Sequence, residues 1–290
     1  MERMIWLWIC LGLFAACQHK QNTAVHKNAA LVYTQEDSVI TMRIIKELEE
    51  DKKLNIGMLT LKAATCFLDA PYVAHTLETG SEEKMVVNLR EMDCTTLVEN
   101  SLALARTVQH KNPDFDKFVK ELEFIRYRQG LREGYASRLH YFSDWIYDND
   151  EKKTVKDISR DIAHILYPNR VNFMSHHPES YKVLMENPEL IEVIASREDS
   201  ITHRMSWYIP KDKVPDYENY YKDGDIIGLT THIDGLDVSH TGIIFKEGLK
   251  VKMIHASSRE KKVVVTDETL QDYLSTNKSN SGIMLARPNK

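Results

Sequence analysis

Met92-Asp93-Cys94-Thr95-Thr96-Leu97-Val98-Glu99 sets an acidic residue directly before a cysteine, and a helical pattern starts at that cysteine. Val98, Leu102 and Ala105 recur at i, i+4 and i+7, with Leu97 and Leu104 beside them. The segment from Cys94 therefore reads as an amphipathic helix with one apolar face. Asp93 is a favourable N-cap, able to accept from the backbone N–H of Thr95 or Thr96. The Cys94 sulfur would then lie in the first turn, where unpaired N–H groups and the positive end of the helix dipole favour a thiolate. A buried core cysteine that merely opens a helix fits the same residues, and this segment alone does not choose.

Outward from Cys94 the pattern is helical first and β last. Ser38 to Lys53 reads as a helix with Ile40, Ile44, Ile45 and Leu48 on one face, and Ile56 to Leu68 as a shorter one stopped by Pro71. From Asn112 to Glu198 the chain is charged and mostly helical, with aromatics concentrated between Phe124 and Tyr147. Beyond Tyr221 five β-like runs follow: Asp225 to Thr230, His240 to Lys246, Val251 to Ser257, Lys262 to Thr266 and Gly282 to Arg287. Helices followed by an antiparallel sheet make an α+β signature. Residues 31–290 read as one domain, with residues from about 112 to 200 as a helical elaboration of it.

The 290 residues are 42% hydrophobic and 28% charged with a net charge of −5, an ordinary globular balance that leaves no basic footprint for nucleic acid. No apolar run behind the leader approaches the ~20 residues that span a bilayer. The leader itself, residues 1–17, has Arg3, an apolar stretch to Ala16, and Leu13-Phe14-Ala15-Ala16-Cys17 at its end. Small residues before a cysteine resemble a bacterial lipobox, with Cys17 the lipidated first residue of the mature chain. Ordinary signal cleavage near Ala16 is the alternative, and either route exports the protein to the periplasm. Residues 18–30 are polar and read as a flexible tether. Export leaves Cys66 and Cys94 behind the leader, where one disulfide between them is possible. Cys66, inside Ala63-Ala64-Thr65-Cys66-Phe67-Leu68, fits a core position.

A cysteine hydrolase needs a base for its thiol and a group that orients the base. Strand register selects among twelve histidines. A two-residue loop at Glu247-Gly248 would pair Lys246 with Leu249, and in that register His240 stands directly opposite His255. The imidazoles would then share one face, with Gly242 on the same face leaving room for a packed helix. A one-residue bulge would separate them. Cross-strand histidines are often only structural, but beside a helix-opening Asp-Cys they complete a set of nucleophile (Cys94), base (His240) and orienter (His255).

Pro71-Tyr72-Val73, Asp93-Cys94, Ser239-His240-Thr241-Gly242-Ile243 and Ile254-His255-Ala256 resemble the NlpC-type superfamily of bacterial cell-wall cysteine hydrolases. Further blocks resemble its N-acetylmuramoyl-L-alanine amidase-like branch: Pro71 to Glu78, Met92 to Thr96, Arg126-Tyr127-Arg128, Ser137 to Trp145 and Gly235 to His240. The likeness runs from about Leu54 to Arg287, with His75 standing where glycine is expected. The resemblance implies a papain-like fold and a thiol amidase cutting the bond between N-acetylmuramic acid and L-alanine, with anhydro-muropeptides as substrates. It implies Tyr72 beside the nucleophile as an oxyanion partner. Glu78, Arg138, His140 and Asp237, polar residues inside matched blocks, become candidate substrate contacts, with surface or salt-bridge roles as the alternative. Arginines and aromatics between Arg126 and Trp145 also suit a sugar that carries a lactyl or peptide carboxylate.

No His-Glu-x-x-His occurs, and His176-His177 lacks a third ligand at a characteristic spacing, so neither a metal nor another cofactor is expected. The expected partners are peptidoglycan fragments, with a membrane contact only through the lipid anchor and the protein a monomer. An endopeptidase cutting after γ-D-glutamate is the enzymatic alternative. A non-catalytic envelope lipoprotein that binds muropeptides is the alternative from another class, against which the intact Cys/His/His set argues.

Overall fold

The computed structural model describes residues 25–28, 30–80, 82–168 and 170–289. The leader with Cys17 lies outside them.

A three-stranded sheet, an eight-stranded sheet and ten α-helices make up most of the described chain. Val25–Asn28 (β1) pairs antiparallel with Leu31–Thr34 (β2), which Gln35–Glu49 (α1) and Ile56–Thr65 (α2) follow before Met85–Val86 (β3) joins β2 in parallel. This corrects the tether reading for residues 25–28: the β-branched and aromatic run Leu31 to Thr34 offers an edge, and their backbone pairs with it. Helix α1 starts earlier than its apolar pattern because Thr34 and Asp37 form a capping box there. Helix α2 ends at Thr65, well before the proline, and the chain turns through Asp69 at φ 66°.

Cys94–Thr107 (α3) is the central helix. Asp93 Oδ1 accepts from Thr96 N at 2.8 Å and Thr96 Oγ1 accepts from Asp93 N at 2.9 Å, a reciprocal cap that fixes where the helix begins. Its neighbours surround it, so Glu99, Asn100 and Ser101 are buried along with the apolar face. Glu99 is tolerated because Arg126 Nε donates to it at 2.7 Å, with both side chains buried. Arg126 belongs to Phe115–Arg126 (α4), whose Phe118, Leu122 and Ile125 pack on α3 together with Trp145 of Phe142–Glu151 (α5).

Helices α4 and α5 thus belong to the main core. Between α5 and the last strands come Val155–Asp157 (β4), Ile158–Ile162 (α6), Ile165–Leu166 (β5), Phe173–His176 (α7), Lys182–Glu186 (α8), Glu189–Thr202 (α9) and Trp207–Pro210 (β6). Only α7 to α9 build a satellite core, around Tyr135, Tyr141, Met174, Leu184 and Ile194. The helical elaboration is therefore narrower than its charged composition indicates, since β4 and β5 within the stretch, like β6 just after it, join the large sheet.

That sheet is completed by Ile226–Thr231 (β7), Val238–Glu247 (β8), Lys250–Ser257 (β9), Lys262–Val265 (β10) and Asn280–Pro288 (β11), with Leu270–Thr276 (α10) before the last. The order is β10-β9-β8-β7-β11-β6-β5, with β4 also on β11, and every pairing is antiparallel. Alternation splits its side chains between two cores. Ile243, Ile254, Ala256 and Met284 meet α3; Ile244, Met253, Ile283 and Leu285 meet Leu270 and Leu274 of α10.

Asp237 is a correction. It is 1% exposed and bonds backbone, with Oδ2 accepting from Ser143 N and Oδ1 from Val238 N, each at 2.7 Å. It therefore satisfies an unpaired amide in the first turn of α5, which is a structural role. Asp237→Ala should lower unfolding free energy by about 2–3 kcal/mol, measured by urea denaturation. A variant with unchanged stability but raised KM would return Asp237 to the substrate.

Candidate active site

Four backbone links draw Tyr72 to the head of α3. Met92 N donates to Pro71 O at 3.0 Å and Val73 N to Met92 O at 3.1 Å, while Asp69 N and Tyr72 N reach Val263 O and Lys261 O at 2.9 Å. The loop is thereby sewn to both β10 and the residue before Asp93. Tyr72 is half-buried, and burial, Cys94 and Asp93 hold its phenol protonated by raising its pKa.

Cys94 and Cys66 are both free, so the disulfide is absent. Burial first, and then the neighbouring Asp93 carboxylate, push the Cys94 thiol up; donors from the Thr241 backbone and from the Thr241 and Thr95 hydroxyls pull it back less strongly. Burial and Asp93 therefore act against the thiolate that the helix N-terminus favours. Cys66 caps α2, half-buried, its thiol pushed up to about 11 mainly by burial.

His240 Nε2 lies 2.7 Å from His255 Nδ1, with ring centroids 4.9 Å apart and planes at 88°. The pairing that brings them together differs from the expected one by two residues. The loop is Gly248-Leu249, Glu247 pairs with Lys250 and Ile243 with Ile254, so His255 stands opposite Gly242 and His240 lies diagonal to it. A shift of two residues leaves every side chain on its original face, which is why the rings still meet. Gly242 admits the His255 stem: a Cβ there would come within 2.9 Å of Ile254 O and 3.4 Å of His255 Cβ.

The room beside Gly242 is not taken by α3. His240, Gly242 and His255 share the face of Ile244 and Met253, and α10 covers it through Tyr273. Its ring lies 6.5 Å from that of His240 and 5.5 Å from that of His255. Helix α3 packs on the other face, and Cys94 meets the strand at the Thr241 backbone, next in chain to His240. A bulge at Ser239, where the β7 pairing shifts between Leu229 and Thr230, bends the strand at this point.

Burial keeps these imidazoles neutral. His240 is pushed down to about 3, by burial and then by His255, and His255 to about 4 by burial. His140 is pushed down to about 3, by burial and then by Arg138. All three unfold into water where the ordinary value is ~6.5, so between pH 6.5 and about 4 the unfolded chain binds more protons. Their contribution to stability is complete above pH 6.5 and is lost as pH falls. Urea midpoints should drop between pH 7 and pH 5 by the equivalent of about 1–2 kcal/mol per histidine. An unchanged midpoint would contradict their neutral burial.

Tyr72, Glu78, Cys94, Arg138 and His140 line one cleft of about 440 Å³. Tyr135 and Tyr181 also face it, Tyr181 from the start of α8. His140 Nε2 meets Tyr135 O at 2.9 Å, and its ring lies 4.4 Å from the Tyr135 ring. His75 has φ 61°, in the left-handed region that glycine adopts without strain, which explains why glycine is the expected residue there. Its Nδ1 is 3.8 Å from Glu78 Oε2. Arg126 and Arg128 are used structurally, Arg128 Nη2 pairing with buried Asp144 at 2.6 Å, so of that block only Arg138 reaches the cleft. Sequence reading missed Tyr135, Tyr181 and Tyr273. For Tyr273 a signal existed: Thr269 caps α10, and Leu270, Tyr273 and Leu274 follow at helical spacing. Among the described residues no three His, Cys, Asp or Glu side chains are grouped to hold a metal ion.

No sequence match is found among curated proteins. Solved structures do match. An N-acetylmuramoyl-L-alanine amidase from Bacteroides uniformis ATCC 8492 is 40% identical, covering 81% of this chain and 99% of its own, with a TM-score of 0.78. A protein described as a xylanase from Bacteroides fragilis, also 40% identical, covers 78% and 99% with a TM-score of 0.74. LPG0564 from Legionella pneumophila, 19% identical, shares the fold over 86% of this chain and 94% of its own at a TM-score of 0.63. The family model described as N-acetylmuramoyl-L-alanine amidase-like matches residues 62–283. That match spans well over half of the chain, and with the 40% identity over 81% of its length the chain belongs to the AmiA-like family.

Proposed function

We propose that the protein is an exported cysteine amidase that hydrolyses the amide between N-acetylmuramic acid and L-alanine in muropeptides. The papain-like arrangement and membership of the NlpC-type superfamily are part of this reading. The observation that carries it is the 2.7 Å contact between His240 Nε2 and His255 Nδ1, one residue from the strand backbone that engages the Cys94 sulfur. His240 protonated at Nε2 donates to His255 Nδ1 and keeps its Nδ1 lone pair for the thiol.

Thiol and imidazole both start neutral. With substrate bound, His240, which makes no hydrogen bond to Cys94 in this structure, closes on the thiol and takes its proton as sulfur attacks the lactyl carbonyl, and the Tyr72 hydroxyl receives the developing oxyanion. His240 returns the proton to the departing L-alanine nitrogen as the C–N bond breaks, leaving a thioester that water hydrolyses with His240 again as base. Glu78, Arg138 and His140 line the cleft for substrate.

A defined muropeptide incubated with purified protein and read by mass spectrometry tests the reaction. Free peptide beginning at L-alanine is expected. A cut after γ-D-glutamate would make the protein an endopeptidase, and unchanged substrate a binder.

Localisation rests on Leu13 to Cys17, with Cys17 as the lipidated residue. Cys17→Ser should move the protein from the envelope to the soluble periplasmic fraction. Wild-type protein already found soluble would replace lipidation with ordinary cleavage near Ala16.

A further inference from the structure

Arg138 occupies an unusual position for a guanidinium. It is 8% exposed, and it is the one Arg or Lys lining the cleft among the described residues. Its Nε is buried without a hydrogen bond, the nearest carboxylate being Glu83 Oε1 at 3.4 Å. Glu83 in turn accepts from the Tyr127 hydroxyl at 2.7 Å, so it is shared. The guanidinium carbon stands 4.9 Å from the Tyr135 ring centroid, which holds the plane in place. No described residue accepts from the terminal Nη groups. Of the other acids of the cleft, Asp93 is held in the α3 cap and Glu99 on Arg126, while Glu78 lies by His75, its Oε2 3.8 Å from His75 Nδ1. A cation this deep, oriented but left open on its forked end, fits a planar anion that arrives with the substrate.

We propose that Arg138 binds the free α-carboxylate of the D-glutamate that follows L-alanine, so that the substrates are muropeptides with unamidated stems. This rests on the amidase reading above. From the lactyl carbonyl to that carboxylate is about 7 Å of extended chain, a span that a cleft of about 440 Å³ accommodates. With the α-carboxylate as a neutral amide, the bidentate charge-assisted pair is lost and the guanidinium stays buried without its anion.

Two muropeptides differing only in D-isoglutamate against D-isoglutamine test it. Wild-type kcat/KM should favour the acid by roughly 30- to 100-fold. Arg138→Lys should keep part of that ratio and Arg138→Gln should bring it near one. Equal wild-type rates, or a ratio that survives in Arg138→Gln, would overturn the proposal. Product masses report separately which bond is cut. Calorimetric binding of both muropeptides to Cys94→Ala protein reads the same preference without turnover, so failure of the amidase reading leaves the Arg138 test decisive.

Discussion

Cys94→Ala should lower turnover of a muropeptide by about four orders of magnitude or more while the thermal midpoint moves little. The sulfur is the one group at the head of α3 that can form the thioester, and His240 has no proton to take without it. The fold loses little, because the Asp93–Thr96 cap that starts the helix does not involve the Cys94 side chain. Cys66→Ala is the control. Cys66 sits at the end of α2, bonded to Lys62 O, and its loss should leave turnover within a fewfold of wild type. If Cys66→Ala were the inactive variant, the nucleophile would be misassigned.

The histidines should separate by role. His240→Asn should be as inactive as Cys94→Ala, since an amide cannot take the thiol proton. His255 acts through His240, and an amide can replace it as the hydrogen-bond partner of Nε2. His255→Asn or His255→Gln should therefore retain measurable activity. His255→Ala should fall by a further ~100-fold or so, since the base then loses both its tautomer lock and the partner for its imidazolium. The pH profile of kcat/KM distinguishes orientation from simple damage. In wild type His240 should remain unprotonated well below pH 6, given its depression to about 3. Equal inactivity of His255→Asn and His255→Ala, with both folded, would remove His255 from its positioning role.

Much of this site was readable because it rests on local rules. A capping residue before Cys94 and the 3.6-residue period behind it define α3 from a dozen residues, and the reciprocal cap is where they put it. The five late strands follow alternation and appear within two residues of their expected ends. The hairpin register was not readable to the residue. Glu247-Gly248 and Gly248-Leu249 are both two-residue loops containing glycine, and the tertiary structure chooses the second, with Gly248 at φ 63° and Leu249 98% exposed. The histidine pair survives because both choices preserve the face.

Partners distant in sequence were not readable. Asp237 and Arg138 sit in equally convincing blocks, yet one closes the first turn of α5 and the other faces the cleft. Nothing local distinguishes them, since burial and the identity of the partner come from segments 94 residues away in one case and 55 in the other. The same holds for Arg126, whose buried partner Glu99 lies on another helix. The thiol's resting state also failed local reading. A helix N-terminus favours thiolate, but burial and Asp93 raise the pKa of the same sulfur.

The most direct test of thiol amide hydrolysis at Cys94 is to trap the intermediate. Wild-type protein is mixed with excess muropeptide, quenched in acid within milliseconds to seconds, digested and mapped by mass spectrometry. The peptide that contains Cys94 should carry the N-acetylmuramoyl group as a hydroxylamine-labile thioester, absent from Cys94→Ala, while free peptide beginning at L-alanine accumulates. The same products released with no adduct on Cys94 at any quench time, and undiminished in Cys94→Ala, would contradict it.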